Sequence, residues 1–523
     1  MLLLFIIGLF EPPVAYAPGL NPIVIENQKA SNADWELTNP ALEREIEGYA
    51  SATSVNRGDA IEVFVSTRDP RYTIEVFRMG WYDGRGARRV TEPLEQHGIV
   101  QEMPAHDPAT GLIECRWKDP VRILTKDEDG AWTSGVYLAR LTARPSGKQS
   151  FVVFVVRDDE RKSAILFQSS VTTFAAYNNW GGKSLYGFNS RNAPARKVSF
   201  DRPYATNPYG VRLDGAGDFL RRWEYNAVRF LERAGYDVTY ITDVDTDQRT
   251  DLLPQHLAFL SVGHDEYWSA AMRTHVEAGR DRGVHLAFLG AGACFWRIRF
   301  EPDSRGVANR TIVGYKEKAG DEDPLALDGN PANDRSITGR WRDRPASRPE
   351  ERLIGVMYAA DPVEGDIIVE APSHWAFAGT GLKRGDALRG LLGNAVDAID
   401  GDSPAGLVRL AHSPFVDHGR TRFADMTLYT AESGAIVFAS GSMQWNWGLD
   451  GYNAPAWHSL RANEPAQQLM RNVLNRMMRG REEHGLAPRR RSNTAVLIAT
   501  AIAALVVLRA WISSRMGRRD SQR

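Results

Sequence analysis

Apolar and polar residues alternate with a period of two in several short segments of the first third of the chain. This period places every second side chain on one face of a β-strand. The segments with this pattern, the last of them more continuously apolar, are Ala60–Thr67, Tyr72–Met79, Gly135–Ala143 and Ser150–Val156. Turn-forming residues such as Asp83 and Gly84 separate the segments. We therefore predict an all-β sandwich, immunoglobulin-like in architecture, over residues 22–157.

Beyond the β region the pattern changes to an alternation of helical stripes and apolar runs. Residues 218–235 carry apolar side chains at helical spacing, and a second helix is predicted between an N-cap at Ser269 and a stop at Gly283. The apolar runs predict the strands Ala164–Ser170, Tyr236–Thr242, His256–Val262, Val284–Gly290 and Ala435–Ser440. Strands that alternate with helices are joined by crossovers, so we predict an α/β domain with a mostly parallel sheet over residues 160–480.

Apolar segments also lie at both ends of the chain. Residues 1–17 end in the small-x-small sequence AYA, which is typical of a signal-peptide cleavage site. Residues 494–512 are apolar except for Arg509 and are long enough for a slightly short transmembrane helix, which the basic tail 513–523 follows. Basic residues on both flanks leave the orientation open, while the signal-like start favours a globular part outside the cytoplasm. These features predict a cell-membrane protein with one C-terminal transmembrane helix.

Composition narrows the classes of function. The 523 residues exceed one compact core, which predicts two or more domains. The chain holds 64 basic and 65 acidic side chains, and this balance provides no field that would gather a nucleic acid. Only Cys115 and Cys294 are present, and neither belongs to a CxxC pair, which argues against a thiolate zinc site or a disulfide scaffold. We interpret them as core thiols, with a single bridge between them as the alternative.

The densest polar chemistry follows a predicted strand, in the sequence SVGHDEYWS. His264, Asp265 and Glu266 occupy the turn between the strand end at Val262 and the helix start near Ser269. In open α/β sheets the loops at the carboxyl ends of strands converge and form binding sites. We therefore favour a functional site, with Asp265 expected to orient His264 or to face solvent. The structural alternative is that Asp265 or Glu266 caps the helix while His264 hydrogen-bonds a loop.

A second polar segment, Phe174–Ser190, also follows a strand and carries Tyr177 and Tyr186 among glycines and asparagines. Taken alone, such tyrosines are expected to pack their rings and expose their hydroxyls. The strand-to-helix turn contains no Ser or Cys, so it provides no nucleophile elbow. A zinc site built from His264, Glu266 and a further histidine would lack the HExxH spacing.

Four segments, in this order, resemble the catalytic-subunit family of N,N-dimethylformamidase. They are YNNWGGKSLY, FLSVGHDEYWS, VEAGRDRGVHLAFLGAGACFWRIRFE and GSMQWNWGLD. The resemblance covers roughly residues 160–480, and the preceding β region resembles a domain often joined to this family in secreted bacterial proteins. It implies an α/β sheet like that of class I glutamine amidotransferases. It also implies an amidohydrolase that acts on the non-peptide C–N bond of linear amides, with a small amide as substrate.

The resemblance further implies a mononuclear ferric ion held by two tyrosines and one glutamate. Carried over by motif, these metal ligands are Tyr177, Tyr186 and Glu266, and the nearby histidine is His264. Fe(III) is a hard cation, and two phenolates and one carboxylate would neutralise its three charges. Zinc stays open as the alternative metal. We expect His264 and Glu266 to be catalytic, His264 by taking a proton from water and passing it to the leaving amine.

Two further expectations concern binding. The named enzyme of the family works with a small subunit, so a small subunit or a second copy of the chain is the expected protein partner. The alternative function is a non-catalytic cell-envelope protein that binds a glycan or a protein. On that hypothesis Trp445 and Trp447, two residues apart, would share a strand face and stack on sugar rings, although such a pair also suits a core.

Overall fold

The alternating segments near the start of the chain form the strands of two sheets. The structure is a computed structural model that describes residues 20–205, 214–220, 223–454 and 462–479. The strands of this β region are β1 (Ile46–Ala50), β2 (Ser54–Asn56), β3 (Ala60–Thr67), β4 (Arg71–Met79), β5 (Ala87–Arg89), β6 (Leu94–His97), β7 (Val121–Leu124), β8 (Lys126–Asp127), β9 (Gly130–Ala131), β10 (Gly135–Arg144) and β11 (Gln149–Arg157). The four segments predicted from the period of two are β3, β4, β10 and β11.

The two main sheets of the β region share one hydrophobic core. One sheet has the order β1-β3-β7, and the other has the order β2-β11-β10-β4-β5, with β6 paired to β4. Side chains such as Ile61, Val76 and Leu141 come from both sheets and pack in the same buried cluster. The alternation of the sequence therefore predicted the strands and their inward faces. The immunoglobulin-like character of this region stays a prediction.

The rest of the described chain adds fourteen strands and most of the helices. The strands are β12 (Ile165–Ser169), β13 (Lys197–Ser199), β14 (Val238–Thr242), β15 (Ala258–Gly263), β16 (Tyr267–Ser269), β17 (His285–Gly290), β18 (Trp296–Glu301), β19 (Thr311–Val313), β20 (Gly339–Arg340), β21 (Met357–Ile368), β22 (Ala387–Ala398), β23 (Val408–Asp417), β24 (Arg420–Thr430) and β25 (Ile436–Ala439). The α-helices of the described residues are α1 (Pro22–Asn27), α2 (Val171–Tyr177), α3 (Glu224–Arg233), α4 (Asp243–Gln248), α5 (Ala270–Asp281), α6 (Ala319–Glu322), α7 (Pro324–Leu327), α8 (Glu351–Ile354), α9 (Trp445–Leu449) and α10 (Glu464–Met478).

A seven-stranded sheet with the order β14-β12-β15-β17-β25-β24-β23 positions the candidate site. The first five strands pair in parallel, whereas β24 and β23 continue the sheet antiparallel. Residues of β12, β14 and β15 are buried on both faces, which explains why their sequences are continuous apolar runs. The segments that follow β12 and β15 consequently leave the sheet at the same edge, side by side.

The predicted fold class, a mostly parallel α/β sheet after a sandwich and before a transmembrane helix, is wrong for the molecule as a whole. Strand residues outnumber helical residues in the described chain, and most other sheets are antiparallel or mixed. The long hairpins β21–β22 and β23–β24 were not predicted. Strand β21 buries its residues irregularly, and its pairing with β22 shifts register three times, so the sequence carries no clean period of two there.

The membrane prediction also needs correction. Within the four described stretches of chain, no helix is both long and apolar enough to span a bilayer. This finding contradicts the predicted single-pass membrane protein. The predicted signal-like segment 1–17, the predicted spanning segment 494–512 and the basic tail 513–523 lie outside the described residues.

Several local predictions can be checked directly. Helix α5 is confirmed: the Ser269 hydroxyl accepts a hydrogen bond from the backbone N–H of Met272 at 3.1 Å, and Gly283 follows the helix with a φ of +94°. Helix α3 begins only at Glu224 and is shorter than the predicted stripe. Cys115 and Cys294 are buried free thiols, which confirms the core interpretation and contradicts the bridge.

A buried ionic cluster joins the β region to the central sheet. The guanidinium of Arg78 on β4 donates to both carboxylate oxygens of Glu232 on α3, at 2.8 and 3.1 Å, and both side chains are fully buried. The hydroxyl of Tyr240 on β14 donates to Glu232 at 2.9 Å. This interface cluster consists of Glu26, Arg78, Tyr82, Arg88, Glu232 and Tyr240. It lies inside one compact unit that ends at Met478.

Candidate functional site

Two neighbouring parallel strands deliver the candidate side chains to one edge of the sheet. Helix α2 follows β12 and ends at Tyr177, and the 264–266 turn follows β15. Gly263, the last residue of β15, has a φ of +73°, and a Cβ there would lie 3.2 Å from the Cβ of Trp223. A glycine is therefore required for the chain to turn at this point.

The side chains of Tyr177, Tyr186 and Glu266 meet at this edge. The Tyr177 hydroxyl donates to Glu266 Oε2 at 2.8 Å, and the Tyr186 hydroxyl lies 3.0 Å from both Glu266 carboxylate oxygens. The two phenol rings stack, with centroids 4.2 Å apart and an angle of 28° between their planes. These three groups form the tyrosine–glutamate cluster. The carboxylate of Glu266 and the two phenol hydroxyls, which a nearby cation would make more acidic, thus bring their oxygens together.

His264 borders this cluster. Its Nε2 lies 3.1 Å from Glu266 Oε2, and its ring packs 4.8 Å from the ring of Tyr177. The edge of Trp223 meets the same imidazole at a right angle, with centroids 6.0 Å apart. The rings of Tyr177 and Trp223 and the carboxylate of Glu266 therefore fix the position of the imidazole. The structure brings His264 together with the three predicted ligands, and its catalytic role stays a prediction.

Glu266 is fixed by its backbone and kept ionised by its neighbours. Its N–H donates to the Thr173 hydroxyl at 3.0 Å, and its carbonyl accepts from the N–H of Trp296 at 2.9 Å. Burial alone raises the pKa of Glu266, but the hydrogen bond and charge of His264, then the charge of Lys316, outweigh burial and bring the pKa below its usual value. The site therefore presents a buried carboxylate.

Burial and the carboxylate of Glu266 both raise the pKa of the neighbouring Tyr186. Burial, followed by the negative charge of Glu266 and the neighbouring Tyr267, holds the pKa of Tyr186 well above its usual value. The phenol is consequently a neutral hydrogen-bond donor in the absence of a cation. A cation bound among these oxygens would favour the phenolate form of the tyrosine, because the charge of the cation would be the largest charge in the site.

Asp265 turns away from the cluster. Its carboxylate accepts hydrogen bonds from Gln168 Nε2 at 2.7 Å, Ser261 Oγ at 2.7 Å and Trp268 Nε1 at 2.8 Å. Burial raises its pKa to about 6 against these hydrogen bonds. The expectation that Asp265 orients His264 or faces solvent is wrong, because alternate residues of an extended turn point to opposite sides. Asp265 links β12, β15 and β16 through these hydrogen bonds, while Ser269 provides the cap of helix α5.

Lys316 is a site residue that the sequence analysis missed. Its ammonium lies 3.3 Å from the ring centroid of Tyr186 and 3.4 Å from the carbonyl oxygen of Leu185. Burial lowers its pKa to about 8, with Glu266 as the main opposing influence. The residue follows the three-residue strand β19 in a segment without periodicity, and a single lysine after a short strand carries no recognisable signal.

Two other site hypotheses do not gain support. Within the parts of the chain that the structure describes, no three His, Cys, Asp or Glu side chains are placed to share a metal, which disfavours a zinc site of His264, Glu266 and another histidine. Trp445 and Trp447 lie in the short helix α9 rather than on a strand, and both are buried. They belong to the core, so they do not provide the exposed aromatic surface that the glycan-binding hypothesis requires.

Comparison with known proteins identifies the family. A family model described as N,N-dimethylformamidase beta subunit-like, C-terminal, matches residues 73–459. The match covers more than half of the chain, so the chain belongs to this family, and the resemblance carried by the four segments is confirmed. The match begins inside the β region, well before residue 160.

The other comparisons add little. No curated protein matches the chain. Among solved structures, the mmIFT52 N-terminal domain is similar over 47% of this chain and 87% of that chain, at 11% sequence identity and a TM-score of 0.26. A similarity at this score supports no conclusion about fold or function.

Proposed function

We propose that the protein is a metal-dependent amidohydrolase that hydrolyses the C–N bond of a small linear amide, as its family membership suggests. The observation that carries the proposal is the meeting of two phenol hydroxyls and both oxygens of one buried carboxylate within hydrogen-bond distance of each other. A cluster of three acidic groups is unfavourable unless protons or a cation hold it together. The tyrosine–glutamate cluster would thus be the metal site.

The donor set fits ferric iron in its chemistry. Tyr177, Tyr186 and Glu266 offer only oxygen, and together they can carry three negative charges, which matches a hard trivalent cation. Zinc sites more often use imidazole and thiolate, and no such donor belongs to this set. When bound, a ferric ion would polarise the amide carbonyl and make a water more acidic.

The chain's own residues would then handle the proton. His264 Nε2 lies 3.1 Å from Glu266 Oε2 and donates to this ionised carboxylate, so in the neutral imidazole Nδ1 would be the atom that accepts the proton of a water that attacks the carbonyl carbon. The same imidazole would return that proton to the amide nitrogen as the C–N bond breaks. Water and amide become carboxylic acid and amine, and no other reactant is needed.

An exposed aromatic side chain beside the cluster would favour amides with apolar substituents. Phe188 is 63% exposed, and its ring centroid lies 5.4 Å from that of Tyr186. An aromatic ring beside the two tyrosines offers a contact surface for the alkyl groups of a substituted amide. A small subunit or a second copy of the chain as partner, and the absence of a nucleic-acid partner, remain proposals drawn from the sequence.

Amine release from small amides tests the function. The iron-loaded full-length protein is incubated with N,N-dimethylformamide and with larger linear amides, and the amine is quantified. We expect hydrolysis that Glu266→Gln abolishes, because the variant keeps the shape but loses the charge of the carboxylate. Glu432→Gln, at an exposed glutamate, is the matched control. Iron-loaded wild-type protein that releases no amine from any of these substrates would refute the proposal, as would a fully active Glu266→Gln variant.

A further inference from the structure

A buried arginine underlies the loop that joins the two tyrosines. Arg202 is 2% exposed, and within the described residues no carboxylate forms an ion pair with it. Its Nη1 donates to the carbonyl oxygens of Trp180 and Lys183 at 3.1 and 2.8 Å. Its Nη2 donates to those of Asn178 and Ala175 at 2.9 and 3.5 Å. One planar guanidinium therefore holds four backbone carbonyls.

These four carbonyls lie in the segment that positions both phenols. Ala175 lies in the last turn of α2, which ends at Tyr177, Asn178 is the C-cap of this helix, and the other two carbonyls belong to the loop that leads to Tyr186. A cation at the C-terminal end of a helix also meets the negative end of the helix dipole. Arg202 consequently contacts the backbone just before Tyr177 and along the loop between Tyr177 and Tyr186, and these hydrogen bonds go to carbonyl oxygens rather than to the phenols.

Burying this cation is costly. Burial lowers the pKa of Arg202 to about 10, since the charge has been removed from water without an anion beside it. A residue whose only task was to fill space could be apolar and avoid that cost. Only arginine, with its rigid fork of donors, can satisfy carbonyls that diverge from a helix end and from a loop at the same time.

Further hydrogen bonds connect the loop between Tyr177 and Tyr186 to the residues that follow Arg202 and to helix α2. The Asn178 side chain donates to the carbonyl of Pro203 at 2.9 Å and accepts from the N–H of Ala205 at 2.9 Å. Across the loop, the N–H of Leu185 donates to the carbonyl of Ala176 at 2.9 Å. The guanidinium sits at the centre of this arrangement.

We infer that Arg202 is a positioning residue that sets the spacing of the Tyr177 and Tyr186 hydroxyls around Glu266. The inference deepens the proposed function and rests on it for the identity of the metal. The hydrogen bonds between Arg202 and the loop are made by the chain's own atoms, so their effect on the loop can be tested separately from iron binding.

The test compares Arg202→Met and Arg202→Lys with a matched control. Arg273→Met removes another buried guanidinium that donates to backbone carbonyls, those of Arg348 and Pro349, away from the tyrosine loop. Hydrogen exchange of residues 171–190 is measured on the metal-free proteins. Iron affinity and the phenolate-to-iron absorption band are measured on the loaded proteins. Both methionine variants are expected to lose thermal stability.

Only the Arg202 variants are expected to change the tyrosine loop. We expect exchange at the Leu185 amide to rise at least about 10-fold in Arg202→Met, and iron affinity to fall by about 10–100-fold with a shifted absorption band. Arg202→Lys should recover part of each effect. If Arg202→Met does not fold, Arg202→Lys alone decides, with the same directions.

The possible failures separate clearly. Unchanged loop exchange in the Arg202 variants overturns the inference, whether or not the protein binds iron. Unchanged iron affinity and band position in Arg202→Met, with a stability loss like that of Arg273→Met, also overturns it. Wild-type protein that binds no iron overturns the proposed function instead, and the exchange data then decide the inference on their own.

Discussion

The interface cluster and the tyrosine–glutamate cluster both bury acidic groups, and they differ in the groups that surround these acids. In the interface cluster, Glu232 faces the guanidinium of Arg78 on both oxygens, and Glu26 accepts from Arg88 at 2.6 Å. In the tyrosine–glutamate cluster, the oxygens of Glu266 face two phenols instead. In the interface cluster each carboxylate is paired with an arginine, which is permanently charged. In the tyrosine–glutamate cluster the carboxylate is instead surrounded by two phenol hydroxyls.

This difference separates a structural cluster from a candidate site. Burial, hydrogen bonding and a tyrosine beside a glutamate are common to both clusters, so none of these features alone indicates function. What differs is the balance of charge. Among the described residues, His264 and Lys316 are the positive groups that lower the pKa of Glu266, and burial lowers the pKa of Lys316 to about 8, whereas the pKa of Arg78 stays well above its usual value.

Glu224 shows a third way of burying an acid. Its carboxyl group accepts from the Ser169 hydroxyl at 2.7 Å and from the N–H of Ser170 at 2.8 Å, and no arginine or lysine pairs with it among the described residues. Burial raises its pKa to about 8 against these hydrogen bonds. Glu224 is therefore neutralised by its own proton at neutral pH, where Glu232 is neutralised by an arginine.

Removing the permanent cation of the interface cluster should have the largest effect. Arg78→Met leaves Glu232 buried without its partner, so we expect a loss of about 3–5 kcal/mol in the free energy of unfolding, measured with urea. Replacing both members, as in Arg78→Met with Glu232→Leu, should restore part of that loss. A single variant as stable as the wild type would show that the ion pair does not hold the two regions together.

The site histidine should matter for rate rather than for binding. We expect His264→Gln to lower kcat for amide hydrolysis by about 10²–10⁴-fold, because the variant cannot accept a proton from water. Iron content and the absorption band should stay as in the wild type, since His264 is not among the proposed ligands. Loss of iron in this variant, or an unchanged kcat, would contradict the assignment.

One tyrosine from each cluster can be used to compare the two clusters directly. Tyr186→Phe and Tyr240→Phe each remove a hydroxyl that hydrogen-bonds a buried glutamate. We expect Tyr186→Phe to lower iron affinity by at least about 10–100-fold. Tyr240→Phe should leave iron binding unchanged and cost about 1–3 kcal/mol of stability, since Glu232 loses a donor. If both variants behave alike in iron binding, the distinction between the two clusters fails.

The protonated carboxyl should produce a smaller, pH-dependent effect. The folded protein keeps the Glu224 proton up to a pH of about 8, whereas the unfolded chain loses it near the ordinary pKa of 4.5. The folded state binds more protons in this window, so Glu224 makes the protein less stable as pH rises from about 4.5 to about 8. We expect Tm to fall between pH 5 and pH 8 by about 2 °C less in Glu224→Gln than in Glu432→Gln. Parallel curves would contradict the assigned protonation state.

The sequence predicted part of the fold for clear physical reasons. Strands with one buried face or two buried faces, such as β3 and β15, leave a regular period or an apolar run. The hairpins β21–β22 and β23–β24 leave neither, because irregularities interrupt their pairing and many residues of β21 and β23 are only partly buried. The parallel strands of the central sheet and four antiparallel strands of the β region were therefore predicted, while the long antiparallel hairpins were missed.

The site was predictable only where a motif carried it. The cluster brings Glu266 together with tyrosines 89 and 80 residues away in sequence, and only the resemblance to a family linked them beforehand. Lys316 and Arg202 act through a ring face and through backbone carbonyls. Such contacts depend on the tertiary structure, so the local sequence around Lys316 or Arg202 does not predict them.

The proposed function depends on the binding of ferric iron by the tyrosine–glutamate cluster. The most direct measurement is the iron content and visible absorption of the full-length protein after exposure to Fe(III) and removal of free metal. We predict about one iron per chain and a phenolate-to-iron band that Tyr186→Phe weakens. A colourless protein without iron, or a band that survives unchanged in Tyr186→Phe and Tyr177→Phe, would contradict the claim.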